Sequence, residues 1–352
     1  MNKSSYFHRV TELSPTRFWI NNPTQAQADL AIDHGAVGCT ANPSYSQKML
    51  DHPIEGMIAK PLLQDAIQES ENEYQAAEIF QRKLIKPISD RFMPLYLQDP
   101  SRMGYVSIQG DPIDDENVQG ILRQARENRA VAENICCKVP ATKAGLQAME
   151  VLFAENIPVN ATEIFAVAQM VSLCETYEKV ARESGKRPPL FMSHIAGIYD
   201  DHFKAYVERE KVDISSDILW QAGLAVARKV YTMMKERGYR AIFVGGGARG
   251  LHHFTEMVGG DACITINWEG TADKLIESNP PVVYRLFNPV PQKVIDELME
   301  KLPDFKRGYL EDGLTVQEFE GFGPVQLFRS SFIKSWTRVV DMAKSARGEK
   351  VA

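Results

Sequence analysis

Eight short runs of β-forming residues recur along the chain with amphipathic segments between them. This alternation restricts the fold more than any other feature. The runs are Phe18–Asn21, Ala36–Thr40, Tyr105–Gln109, Ile135–Val139, Pro158–Thr162, Leu190–Ile195, Ala241–Gly245 and Cys263–Asn267. Helical periodicity falls between them, as in Thr24–His34, Lys143–Glu155, Ile164–Ser184 and Asp217–Arg237. Strictly alternating βα units imply parallel strands joined by right-handed crossovers, leaving an open doubly wound sheet or a closed barrel. An open nucleotide-binding sheet calls for a glycine-rich turn after its first strand, and Asn21-Asn22-Pro23-Thr24 stands there instead. The expected fold is therefore α/β, a (β/α)8 TIM barrel over about residues 15–278, with its chemistry at the C-terminal ends of the strands.

The chain of 352 residues exceeds what eight such units need. Residues 53–103 form a helical insertion before strand 3, with Glu71–Leu84 its clearest helix. Residues 279–352 form a C-terminal extension, a Pro/Phe/Gly-rich stretch Pro303–Phe328 followed by an amphipathic helix over Phe332–Ala346. No change of composition marks an independent unit, so residues 1–352 read as one barrel domain with a C-terminal helical extension. A formal charge of -6 lacks the basic excess that nucleic acid or an anionic membrane would require, and a small-molecule partner is expected. No apolar run suits a signal peptide or a membrane span, so the expected location is cytoplasmic. The oligomeric state is left open, a homodimer included. Five cysteines without a CxxC pair read as reduced core residues.

The run Ile135-Cys136-Cys137-Lys138-Val139-Pro140 is apolar except for one lysine near its C-terminal end. A strand covered on both faces reads this way, and its end faces the mouth of a barrel. Burial depresses a lysine's pKa and frees its amine to attack a carbonyl. A lysine extending its head to solvent at the rim gives the same pattern.

Lys138-Val139-Pro140-Ala141-Thr142, followed by Gly145-Leu146, resembles the Schiff-base strand of the transaldolase family. Other segments resemble family motifs in the same order. Thr40-Ala41-Asn42-Pro43-Ser44 is similar to TTNPS, Asn160-Ala161-Thr162-Glu163-Ile164-Phe165 to N-x-T-x-x-F, and Ser193 through Gly197 to Asp200-Asp201 to SPFVGRIDD. Gly246-Gly247-Ala248-Arg249 is a looser likeness to A-S-F-R. The resemblance implies a class I aldolase or transferase without cofactor or metal, acting on a carbonyl substrate, a ketose or sugar phosphate. It implies that Lys138 forms the imine, that Asn42, Asn160 and Ser193 contact substrate, that Thr162 helps position a water, and that Arg249 with the Gly247 turn binds phosphate.

Two departures bear on the chemistry. The family places an aspartate on its first strand and a glutamate on its third for proton transfer, and Asn21 and Gln109 occupy those positions here. Neither amide exchanges a proton near neutral pH. A fructose-6-phosphate aldolase branch of the family also carries glutamine on the third strand but keeps the aspartate. A second phosphate-binding arginine is replaced by Ile198. Tyr199, His194 and Glu163 are the nearby groups able to move protons, although alternation sends His194 away from the face that carries Ser193. A specialised imine-forming aldolase or dehydratase, and a non-catalytic sugar-phosphate-binding barrel, remain alternatives. The adjacent His252-His253 read as surface or substrate-loop residues rather than metal ligands.

Overall fold

The computed structural model describes residues 4–348. Eight strands close in sequence order into a barrel. They are β1 (Arg17–Asn21), β2 (Ala36–Ala41), β3 (Tyr105–Gln109), β4 (Ile135–Pro140), β5 (Val159–Ile164), β6 (Leu190–His194), β7 (Ile242–Gly245) and β8 (Ala262–Ile266). Every neighbouring pair is parallel, including β8 against β1. This is the TIM-barrel architecture expected from the alternating pattern. The hydrophobic core is continuous from Tyr6 and Phe7 through the barrel wall to Trp336 and Val340 near the C-terminus. Among the described residues, no helix is long and apolar enough to cross a membrane.

Helix boundaries move where tertiary burial outweighs local signals. The insertion contains Tyr45–Asp51, Glu55–Glu69 and Glu73–Gln98. The last of these runs past Leu84 and through Pro87 and Pro94, because Ile85, Ile88 and Phe92 continue its buried face. Packing of that stripe offsets the backbone hydrogen bonds that the prolines cannot donate. The segment expected as one helix over Asp217–Arg237 is broken into Ser216–Leu219 and Ala222–Glu236. In the C-terminal extension, the final helix begins at Gly323, inside the stretch that composition marks as irregular, and ends at Gly348. Its apolar residues lie against insertion helices and bring Phe328 to the barrel mouth.

Inside the barrel, side chains alternate with those of the outer wall. An apolar layer contains Trp19, Tyr105, Cys136, Phe191, Val244 and Cys263. The next positions toward the C-terminal ends of β3, β4 and β6 are Ser107, Lys138 and Ser193, so one step along the strands changes the interior from apolar to polar. Gly38 makes room for the Trp19 indole, since a Cβ there would lie 2.3 Å from Trp19 Cε2. Gly38→Ala should therefore cost about 1–3 kcal/mol of stability by overpacking, read as a lower midpoint in denaturant titration. An unchanged midpoint would show that Trp19 can move aside.

Candidate active site

Strand pairing sets the frame of the site. In register, Gln109 of β3 lies beside Lys138 of β4, and Lys138 beside Asn160 of β5. Lys138 is buried, and desolvation lowers its pKa to about 8 while Glu163 partly opposes the shift. Its outward neighbour Cys137 instead donates its thiol to the carbonyl of Ala125, confirming the inward aim of Lys138. All five cysteines are free and buried, as their spacing suggested.

Hydrogen-bonded amides and hydroxyls surround the lysine. Asn160 donates to Ser107 Oγ at 2.8 Å and accepts from Ser193 Oγ at 2.7 Å, which fixes its amide across three strands. Asn21 accepts from Thr40 Oγ1 at 2.8 Å and donates to Asn267 Oδ1 at 2.9 Å. The Thr40 and Thr265 hydroxyls meet at 2.7 Å. Asn42 Oδ1 accepts from Asn22 Nδ2 and from the Ser44 amide, both at 3.0 Å. Asn21 is thus an amide with both ends engaged by neutral partners.

Glu163 lies where alternation does not put it. Asn160 and Thr162 face inward along β5, so the next residue should point to the outer wall. However, the β5–β6 register shifts between Ala161 and Ile164, and Glu163 adopts φ 59°, a left-handed conformation that costs a non-glycine residue about 1–3 kcal/mol. This irregularity turns its carboxyl to Gln109, whose Nε2 donates to Glu163 Oε1 at 3.0 Å. Burial pushes the Glu163 carboxyl up to about 7, with the Gln109 hydrogen bond, Lys138 and Arg329 pulling the other way. Glu163 Oε2, Gln109 Oε1 and Thr162 Oγ1 are buried without a protein partner, an unusual concentration of unsatisfied polar atoms on the two strands flanking β4. The other proton-transfer candidates are placed elsewhere. Tyr199 donates its hydroxyl to the Phe165 carbonyl, and His194 is buried between the Tyr199 and Phe243 rings, which lowers its pKa to about 3.

A cavity of about 80 Å³ opens over the lysine, lined by Asn21, Asn42, Lys138, Ser193, Arg249 and Phe328, with Gly247 at its edge. Arg249 is not free there. Its Nε and Nη2 both reach Asp201 Oδ2 at 2.7 Å, and its Nη1 donates to the Gly247 carbonyl at 3.0 Å. Ile198 is buried and supplies no charge where the resemblance calls for a second arginine. Gly197 allows the first turn of the helix after β6 to meet the loop after β7, since a Cβ on it would lie 1.7 Å from the Gly247 carbonyl oxygen.

His252 and His253 come together with Asp200, with ligand atoms of all three within 4.8 Å of one another; His252 is partly exposed as expected, whereas His253 is buried, contrary to its expected reading as a surface or loop residue. His253 Nδ1 already accepts the Arg249 backbone N–H at 3.2 Å, so in the neutral ring the proton sits on Nε2, 3.3 Å from Asp200 Oδ2. Metal binding through that nitrogen would need the ring to lose this proton. His253 Nε2, His252 Nε2 and Asp200 Oδ1 are nonetheless buried without a hydrogen-bond partner.

Comparison with known proteins identifies the family. The family model for transaldolase and fructose-6-phosphate aldolase matches residues 20–307. The chain is 28% identical over 223 residues to a transaldolase of Mycobacterium tuberculosis, covering 59% of this chain and 57% of that protein. It is 31% identical over 167 residues to a transaldolase of Helicobacter pylori, covering 44% and 48%. A transaldolase of Thiobacillus denitrificans is 24% identical over 325 residues, covering 82% of this chain and 87% of its own length. The chain thus spans less than two thirds of the mycobacterial and Helicobacter relatives. The family match runs from β1 to beyond β8 and takes in the lysine strand, so the chain belongs to the transaldolase and fructose-6-phosphate aldolase family.

Proposed function

We propose that this protein is a class I aldolase or transferase of the transaldolase type, in which Lys138 forms a Schiff base with a ketose and a dihydroxyacetone-type unit is cleaved from it or transferred. The observation that carries this reading is a buried lysine at the C-terminal mouth of a barrel strand, with burial lowering its pKa to about 8. A neutral amine is then accessible near physiological pH, as attack on a carbonyl requires. The amides and hydroxyls of Asn42, Asn160 and Ser193 supply the neutral donors and acceptors that suit a polyol chain. Thr162, with an unpartnered hydroxyl, and the amides of Gln109 and Asn21 complete the set of groups around the reacting carbon. Small carbonyl substrates are the expected partners, and the proposed chemistry uses neither cofactor nor metal.

Borohydride treatment with a panel of ketoses, followed by intact mass measurement, tests this function. A mass gain equal to the reduced donor fragment is expected for at least one ketose. No gain with any ketose would favour a non-catalytic binding barrel instead.

The pairing of Arg249 with Asp201 bears on the substrate. A phosphate would have to displace the Asp201 carboxylate, which the planar arginine fork can exchange for phosphate oxygens. Arg249→Ala is expected to lower kcat/KM for a phosphorylated ketose by about 10- to 150-fold more than for its unphosphorylated analogue, the scale of a charge-assisted contact. Equal losses for both would point to a substrate without phosphate.

A further inference from the structure

We propose that Glu163 is the general acid and base of imine formation at Lys138, in place of the family's carboxylate on β3. This rests on the reading of Lys138 as the nucleophile. The geometry carries the assignment. Gln109 occupies the β3 position of the missing glutamate, in register with Lys138, and its side chain holds the Glu163 carboxyl at 3.0 Å. The carboxyl therefore reaches the same corner of the site from β5 instead of β3. A register shift and a left-handed residue are the means by which β5 turns this side chain inward. Such irregularities re-aim side chains beside active sites and persist only where the surroundings hold them in place. One oxygen, Oε2, is buried without a protein partner, so its hydrogen-bonding capacity is not taken up within the protein.

The groups around Glu163 come from several elements. Lys138 lies on β4 and Gln109 on β3, Arg329 on the C-terminal helix contributes positive charge, and the buried Asp115 after β3 is held well above the usual carboxylate range by desolvation and by Glu163 itself.

The reaction balances with these groups alone. The neutral Lys138 amine adds to the ketone carbon and forms a C–N bond, while the carbonyl π pair moves to oxygen. The proton on the new ammonium nitrogen passes to that oxygen, giving a neutral carbinolamine. Protonated Glu163 then donates its proton to the carbinolamine hydroxyl, the C–O bond breaks, and water departs as the nitrogen lone pair forms C=N. The products are an iminium ion, a Glu163 carboxylate and one water. Hydrolysis of the imine runs the same steps backwards, with Glu163 as base.

The reactive pair, neutral amine with protonated acid, carries the same number of protons as the ammonium–carboxylate ion pair. Its population is therefore greatest between the two titrations, about 7 for Glu163 and about 8 for Lys138. The test uses the full-length protein with two carbonyl probes. Dihydroxyacetone with cyanoborohydride is read by mass, and acetylacetone by the ultraviolet absorption of its conjugated enaminone. In the wild type, the rate of adduct formation should trace a bell over pH with its maximum between about 7 and 8. Glu163→Gln keeps the acceptor for Gln109 and should slow adduct formation by about 10²-fold or more, with the bell replaced by a single limb rising with pH. Glu163→Asp keeps a titrating carboxyl and should retain a bell at a reduced rate. A single-limb profile in the wild type overturns the proposal even if Glu163→Gln does not fold. So does a folded Glu163→Gln with wild-type rate and profile, and in that case the lysine reading stands. No adduct in the wild type with either probe overturns the lysine reading itself.

Discussion

Lys138→Ala is expected to leave a folded protein that forms no reducible adduct and turns over at least about 10⁴-fold more slowly than the wild type, the scale of losing a covalent nucleophile. The fold should survive because truncation removes a desolvated amine and not an apolar contact in the layer below, where Trp19, Cys136 and Phe191 pack. Glu163 should then remain protonated to a higher pH, since Lys138 is one of the charges that pull its pKa down. Lys138→Met separates charge from volume: it fills the same space without an amine and should be equally inactive. Turnover in either variant, measured with the ketose that gives the wild-type adduct, would show that the carbonyl is activated elsewhere.

The second large effect concerns the two amides at the family's carboxylate positions. Asn21→Asp combined with Gln109→Glu is expected to lower turnover at neutral pH by about 10²-fold, the low end of an acid–base contribution. Gln109 donates to Glu163 at 3.0 Å, and a glutamate in its place sets two carboxyls against one another. Two carboxyls at that separation cannot both ionise in a buried site, so the pair keeps a proton to higher pH and the extra negative charge favours the ammonium form of Lys138. Asn21 donates to Asn267 Oδ1, and an aspartate there would present oxygen to oxygen. Fructose 6-phosphate cleavage by wild type and double variant distinguishes a retuned site from one that has lost its carboxylates by drift. A gain of about 10²-fold in the variant would mean that the amides are losses and not tuning.

The barrel was legible in the alternation of eight strands with helices, because parallel strands buried on both faces need apolar runs and crossover helices. Lys138 was legible as the one charge in such a run, and Asn160 and Ser193 as polar residues on the inward period of their strands. Glu163 was not. Period-2 alternation assigns it to the outer wall, and only the shifted β5–β6 register and a positive φ reverse that assignment. A charged side chain one residue past a strand whose other positions are neutral was the available signal, and it does not say which way a bulge turns. The pairing of Arg249 with Asp201 was equally hidden, because it depends on residues 48 positions apart, one in the helix after β6 and one in the loop after β7, meeting over Gly197. The start of the C-terminal helix at Gly323 was obscured by a glycine and proline that usually end helices, whereas here burial of Val325 and Phe328 holds the first turn.

Lys138 as the nucleophile is tested most directly by locating the reduced adduct. Wild-type protein treated with borohydride and the reacting ketose, then digested and mapped by peptide mass, should carry the donor fragment on the peptide containing Lys138 and on no other. An adduct on any other lysine with Lys138 unmodified would contradict it.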